Sequence, residues 1–247
     1  MAVTAEDLLA YIAALAAHPI YTKRFQEDLS TPGLRVPLTS NRDVFTDAVR
    51  LGRRVIWLHT FGERMTDPND GRPNEQPRLP ASRRPHIPME GAIPTDSNGM
   101  PDSIDYDAGK QRLLVGHGYV ENVEPAEWLY EVSGKQVVPH WFSYRKKNRE
   151  RPIIGDRRPP SPLGDIQPNH WLPEYTSELL NLLNVLGLLV ELEPAQADLL
   201  EKVCSGPLIS HEDLSAAGAI ELPPKAKKKT AKKKASGPGL FDSHGKE

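Results

Sequence analysis

The chain has 247 residues, 38% hydrophobic and 26% charged, which is enough apolar side chain for one sizeable core with appendages. Its single cysteine, Cys204, rules out an internal disulfide, argues against a zinc centre and fits a reducing cytoplasm. The net charge of −2 hides an asymmetry: residues 223–247 hold eight lysines against two acids, leaving 23 basic and 31 acidic residues in 1–222, a net of −8. A surface for polyanions on this acidic body has to be a local patch.

In chain order, Thr4 and Asp7 form a capping-box-like start. Leu8, Leu9, Tyr11, Ile12 and Leu15 then predict a helix that ends at His18-Pro19. Tyr21, Phe25 and Leu29 predict a second helix, stopped by Thr31-Pro32-Gly33. Asn41 caps a third, running through Phe45, Ala48, Val49, Gly52 and Val55 to about His59. Residues 1–61 thus read as a helical segment. The apolar stretch near the N-terminus follows Glu6 and Asp7 rather than basic residues, unlike a signal peptide, and no apolar run is read as membrane-spanning.

Residues 62–100 lose all periodicity and read as a long proline-rich loop. Eight prolines fall between Pro68 and Pro101, and six more between Pro152 and Pro173, from a total of 24, about twice the usual proportion. Residues 103–106, 111–115 and 119–123 then predict antiparallel strands. Trp128, Tyr130 and Val132 alternate as a fourth, and Ser133-Gly134 turns the chain into a short fifth strand over 135–138. Pro139 suits the first turn of a helix on which Val138, Trp141, Phe142 and Arg145 share one face. Further on, Thr176 or Ser177 caps an apolar helix over 179–189, Pro194 opens a separate helix over 195–204, and residues 211–217 suit a last short one. The segment 223–247, rich in lysine and alanine, reads as a disordered basic tail. The whole is an α+β chain, with 1–222 as one domain and 101–222 supplying its sheet and later helices.

Catalytic signatures are few in the sequence. Gly116-His117-Gly118 reads as a turn, lacking a third glycine and a following helix. No cofactor loop or catalytic tetrapeptide of an adenine methyltransferase is present, and Arg158-Pro159-Pro160-Ser161 lacks the amide and aromatic of that motif. The histidines show no ligand spacing, and no serine is flanked by nucleophile-elbow glycines. Asp105 and Asp107 share a strand face and read as edge-strand solubility rather than a cation site.

Residues 141–158 carry seven basic side chains against Glu150 and Asp156, a local +5. Trp128, Trp141 and Phe142 read as core anchors. Arg145 is open between a paired, half-buried arginine and a DNA contact. Lys135, Arg145, Lys146, Lys147, Arg149, Arg151, Arg157 and Arg158 are the expected DNA-binding residues. The stretch from Lys146 suits phosphate contact, with a solvated rim as the alternative, and Arg157 and Arg158 are suited to enter a groove.

The run Y-E-V-S-G-K-Q-V-V-P-H-W-F-S-Y-R over 130–145, followed by P-L-G-D-I-Q-P-N-H-W and Y-T-S-E-L-L-N-L-L, resembles the C-terminal specificity region of Type ISP restriction-modification enzymes. It is similar in particular to those that are adenine-specific DNA methyltransferases. The opening A-Y-I-A-A-L-A-A-H-P-I-Y-T-K-R-F-Q-E-D-L fits the family's segment just after its methyltransferase core, and the resemblance covers about residues 6–210. It implies a DNA target-recognition domain, not catalytic by itself. S-adenosylmethionine and ATP would belong to modules missing here or carried by a partner, such as a methyltransferase or helicase-nuclease polypeptide. Double-stranded DNA would be the ligand. The alternatives are a protein-interaction scaffold docking a partner on 179–189, and a hydrolase with a deep polar pocket.

Overall fold

The computed structural model describes residues 2–31, 35–147 and 168–219. It divides the chain into two units, residues 1–208 and residues from Ile209 onward. Among the described residues it combines helices with small antiparallel sheets, an α+β arrangement.

Helix α1 (Ala5–Ala16) opens on a capping box in which Thr4 and Asp7 satisfy each other's backbone N–H groups. Helix α2 (Pro19–Arg24) is short, and a 3-10 turn over Asp28–Ser30 replaces the rest of the expected second helix. Helix α3 (Arg42–His59) starts where the Asn41 side chain accepts from the N–H groups of Asp43 and Val44, at 2.9 and 3.2 Å. The crossing of α1 and α3 is close because position 52 is glycine: a Cβ there would lie 1.7 Å from the Ala10 carbonyl oxygen. Tyr11 ties the segment between α2 and α3 to this pair. Its hydroxyl donates to the Pro37 carbonyl at 2.7 Å and accepts from the Thr39 N–H at 3.1 Å.

The sequence splits its last apolar stretch at Pro194, but the structure has one helix, α6 (Pro173–Ser205), with Pro194 inside it. It also begins at Pro173, before Thr176 and Ser177. Proline at 194 removes one N–H from the helical ladder, a cost of about 3 kcal/mol in an exposed helix interior. Packing on both sides of the proline opposes that cost. Leu179, Leu183, Leu186 and Leu189 join one apolar cluster, and Leu199, Leu200 and Val203 join another with Tyr11, Leu15, Tyr21 and Val49. An 18-residue window of α6 reaches a mean hydropathy of 1.2, so by length and composition this helix could cross a bilayer, contrary to the sequence reading. Its apolar side chains are instead shared between the two core clusters.

The cluster around Tyr11 and Leu199 is therefore helical, built mainly from α1, α3 and the end of α6. The cluster around Leu179 and Leu183 holds the sheet. Strands β1 (Ile104–Asp107), β2 (Arg112–Val115) and β3 (Gly118–Val120) run antiparallel in that order, with Ile104 opposite Val115 and Leu113 opposite Val120. Gly116, at φ +57°, makes the two-residue turn between β2 and β3. Leu113, Val115 and Val120 point into the core beside Trp57, Leu58, Val138, Phe142 and Trp171.

Trp128 does not begin a strand. Glu124 and Pro125 open a short helix, α4 (Pro125–Leu129), and only Glu131–Val132 (β4) pairs with Lys135–Gln136 (β5). The hairpin turn is as expected: Ser133 and Gly134 both have positive φ, +53° and +73°. Helix α5 (Val137–Ser143) follows at once, taking Val137 and Val138 from the predicted strand.

The loop over 62–100 holds a fixed course, with 3-10 turns at Pro68–Asp70 and Met89–Gly91. Trp57 Nε1 donates to the Pro73 carbonyl at 3.0 Å, and Asn184 Oδ1 on α6 accepts from the Leu79 N–H at 2.8 Å. Arg72, only 3% exposed, donates to the Met65 carbonyl at 2.7 Å and pairs with Asp70. A loop of this length stays in place because α3 and α6 satisfy its backbone.

In the second unit, α7 (His211–Ala216) begins on a capping box between Ser210 and Asp213. The expected tail over 223–247 lies outside the described residues.

Candidate nucleic-acid interface

The basic stretch is anchored by α5. Val138 and Phe142 are buried, and Phe142 packs on the fully buried Trp171, ring centroids 6.2 Å apart. Trp141, on the same helix, is half-buried and meets Trp171 edge-on, also at 6.2 Å. Trp171 Nε1 donates to Thr176 Oγ1 at 2.9 Å, so the indole has a polar partner inside the core. Phe142 and Trp171 are thus the deep anchors, while Trp141 and Trp128 only line the cluster from its edge.

Of the two readings of Arg145, the structure has the paired arginine. Its guanidinium stacks 4.2 Å over the Trp141 ring and 5.5 Å from the Tyr175 ring. Nε and Nη2 donate to one oxygen of Glu178 at 3.0 and 2.7 Å, and Nη1 donates to the Trp141 carbonyl at 3.1 Å. All three guanidinium nitrogens are engaged within the fold.

Lys135 lies exposed on β5, beside the tight turn. Lys146 and Lys147 leave the end of α5 with their N–H groups held, by the Phe142 carbonyl at 3.1 Å and the Pro101 carbonyl at 2.8 Å. The Asp96 carboxyl sits below its ordinary range, mainly because the Gly99 N–H donates to it, with the Asn98 N–H and the Lys147 charge adding to the effect. Arg149, Arg151, Arg157 and Arg158 lie outside the described residues.

Other basic side chains, which no motif marked, line two clefts along α3. In one, of about 320 Å³, Arg50 and Arg72 both pair with Asp70, and Asp47 adds a second acid. In the other, of about 570 Å³, Arg54, Arg78 and Arg84 converge from α3 and the long loop. Among the described residues no group of three or more histidine, cysteine, aspartate or glutamate side chains is placed to hold a metal ion.

Two of the solved structures that are similar to the chain are DNA complexes. One is a nuclease-deletion mutant of the Type ISP restriction-modification enzyme LlaGI in complex with a DNA substrate mimic, at 17% identity over 81% of this chain and 14% of that one, TM-score 0.45. The other is a DrdV–DNA complex, at 16% identity over 83% of this chain and 18% of that one, TM-score 0.48. The chain thus spans less than a fifth of either enzyme. No curated protein matches it. The family model described as the Type ISP C-terminal specificity domain matches residues 1–182, most of the chain, and the protein belongs to that family.

Proposed function

We propose that this chain is the DNA target-recognition module of a restriction-modification or adenine-methyltransferase system. The observation that carries the reading is the family match, which runs through both helical and sheet-bearing parts of the first unit. In this reading Lys135, Lys146 and Lys147 contact backbone phosphates, and Arg149, Arg151, Arg157 and Arg158 extend the same basic track. Arg145 supports the track from below, as the stacked and paired end of α5, rather than touching DNA. Methyl transfer and cleavage belong to other modules or to a partner polypeptide in the cytoplasm, with S-adenosylmethionine and ATP bound there.

The scaffold alternative loses its docking surface. Leu179, Leu183, Leu186 and Leu189, the apolar face it would offer, are buried against the sheet cluster.

The test is a salt titration of duplex binding by the full chain and by a Lys135→Ser/Lys146→Ser/Lys147→Ser variant. Each lost phosphate contact should flatten the log–log slope by about 0.9, so a drop of about two to three is expected. Affinity should fall alike on all duplexes, since phosphates carry no base identity. An unchanged slope would remove these lysines from the interface.

A further inference from the structure

The second cleft along α3 has a chemistry that the assigned residues do not share. Its walls carry Arg54 from α3 and Arg78 and Arg84 from the long loop, over a floor that includes Trp57, Pro73, Pro77 and Leu188. Among the described residues, neither the Arg54 nor the Arg78 side chain has an ion pair or hydrogen bond. Arg84 is fixed by backbone, with Nε and Nη2 donating to the Leu79 carbonyl at 3.2 and 3.1 Å, and has no carboxylate partner there. Gln76 also lines the cleft, and its amide Nε2 is buried without a hydrogen-bond partner. Against these donors stands one acid, Glu75.

The contrast with the neighbouring cleft is informative. There, Asp70 pairs with Arg50 and Arg72 and Asp47 adds a second acid, while Arg54 lies between the two clefts and lines both without an ion pair of its own. Here three guanidinium groups gather in an otherwise acidic body with little compensation, an arrangement that repels itself unless an anion enters. Guanidinium forks and an amide N–H are donors only, so the complementary ligand is rich in acceptors and negatively charged. The cleft is also preformed, because Trp57–Pro73 and Asn184–Leu79 hydrogen bonds hold the loop wall against α3 and α6.

We propose that this cleft grips a backbone phosphodiester of duplex DNA, as a second contact separate from Lys135, Lys146 and Lys147. The proposal rests on the reading of the chain as a DNA specificity module. Arg54 and Arg78 supply unpaired charge and fork geometry, and Arg84 supplies a fixed positive wall.

Salt-dependent binding of the full chain to a duplex tests it. Arg54→Gln/Arg78→Gln should keep the melting temperature, because neither side chain has a partner among the described residues. It should flatten the log–log salt slope by about two and weaken binding about tenfold or more at low salt. Glu75→Gln should tighten binding several-fold by removing the single opposing charge, and it decides the matter if the double variant does not fold. Wild-type slope and affinity in a folded double variant, or in Glu75→Gln where the double variant fails to fold, would overturn the cleft while leaving the lysine track standing. Failure of the wild-type chain to bind any duplex would instead overturn the specificity reading, and the cleft with it.

Discussion

Arg145, just past the end of α5, clasps Glu178 in the second turn of α6 with two donated hydrogen bonds, while its guanidinium lies flat on Trp141. The contact joins residues 33 positions apart and fixes where the chain leaves α5 for the basic stretch. A side chain that the sequence left open between pairing and DNA contact is thus paired and stacked within the fold.

Arg145→Ala should cost about 1–2 kcal/mol, the sum of a partly exposed ion pair and a cation–π stack. Glu178→Ala should cost less, since the stack survives, and a double-mutant cycle should give a coupling of about 0.5–1 kcal/mol. Arg145→Ala should leave the salt slope of duplex binding unchanged. A slope flattened by about one would return Arg145 to the phosphate contacts.

Trp171 is fully buried between Phe142, Trp141 and Tyr175. Trp171→Ala should cost about 3–5 kcal/mol by chemical denaturation, the range for emptying a large aromatic site. Trp141→Ala should cost clearly less, because that ring is half-exposed. Equal costs for the two would contradict this division of the aromatic cluster.

Glu127, on α4, is 3% exposed, its Oε2 has no hydrogen-bond partner, and Gly187 of α6 gives it room: a Cβ at 187 would lie 2.7 Å from Oε1. Burial, and then the nearby Glu124 carboxylate, push it from an ordinary 4.5 up to about 8. The folded chain therefore holds a proton on Glu127 that the unfolded chain has lost, across the window from about 4.5 to about 8. Its contribution to stability is full below that window and is lost as pH rises through it. Glu127→Gln should flatten this decline and melt above wild type near pH 8. A wild-type chain that gains stability across the same window, with no change on Glu127→Gln, would show the group to be charged in the fold.

What could be read from sequence was local. The Thr4–Asp7 capping box, the Asn41 cap and the Ser133-Gly134 turn each depend on residues within a few positions of each other, and all three are found as expected. The alternation of Trp128, Tyr130 and Val132 mimicked a strand over a helix of five residues, too short to show its own period, although Pro125 at its first turn was a helix-start signal. Pro194 looked like a boundary because the packing that carries α6 through it comes from two distant clusters. The same limit applied to function. The basic stretch stood out as contiguous charge, whereas the Glu178 partner of Arg145, and the meeting of Arg54 with Arg78 and Arg84, are products of tertiary structure.

The central claim is that the chain reads sequence rather than charge alone, and selection from a randomised duplex pool measures this directly. After several rounds at near-physiological salt, where non-specific phosphate attraction is screened, the bound duplexes should share one short motif. The selected motif should bind about 10³-fold or more tighter than its scramble. Recovery of unenriched duplexes, with all sequences binding alike, would show a polyanion-binding body without target recognition and contradict the account.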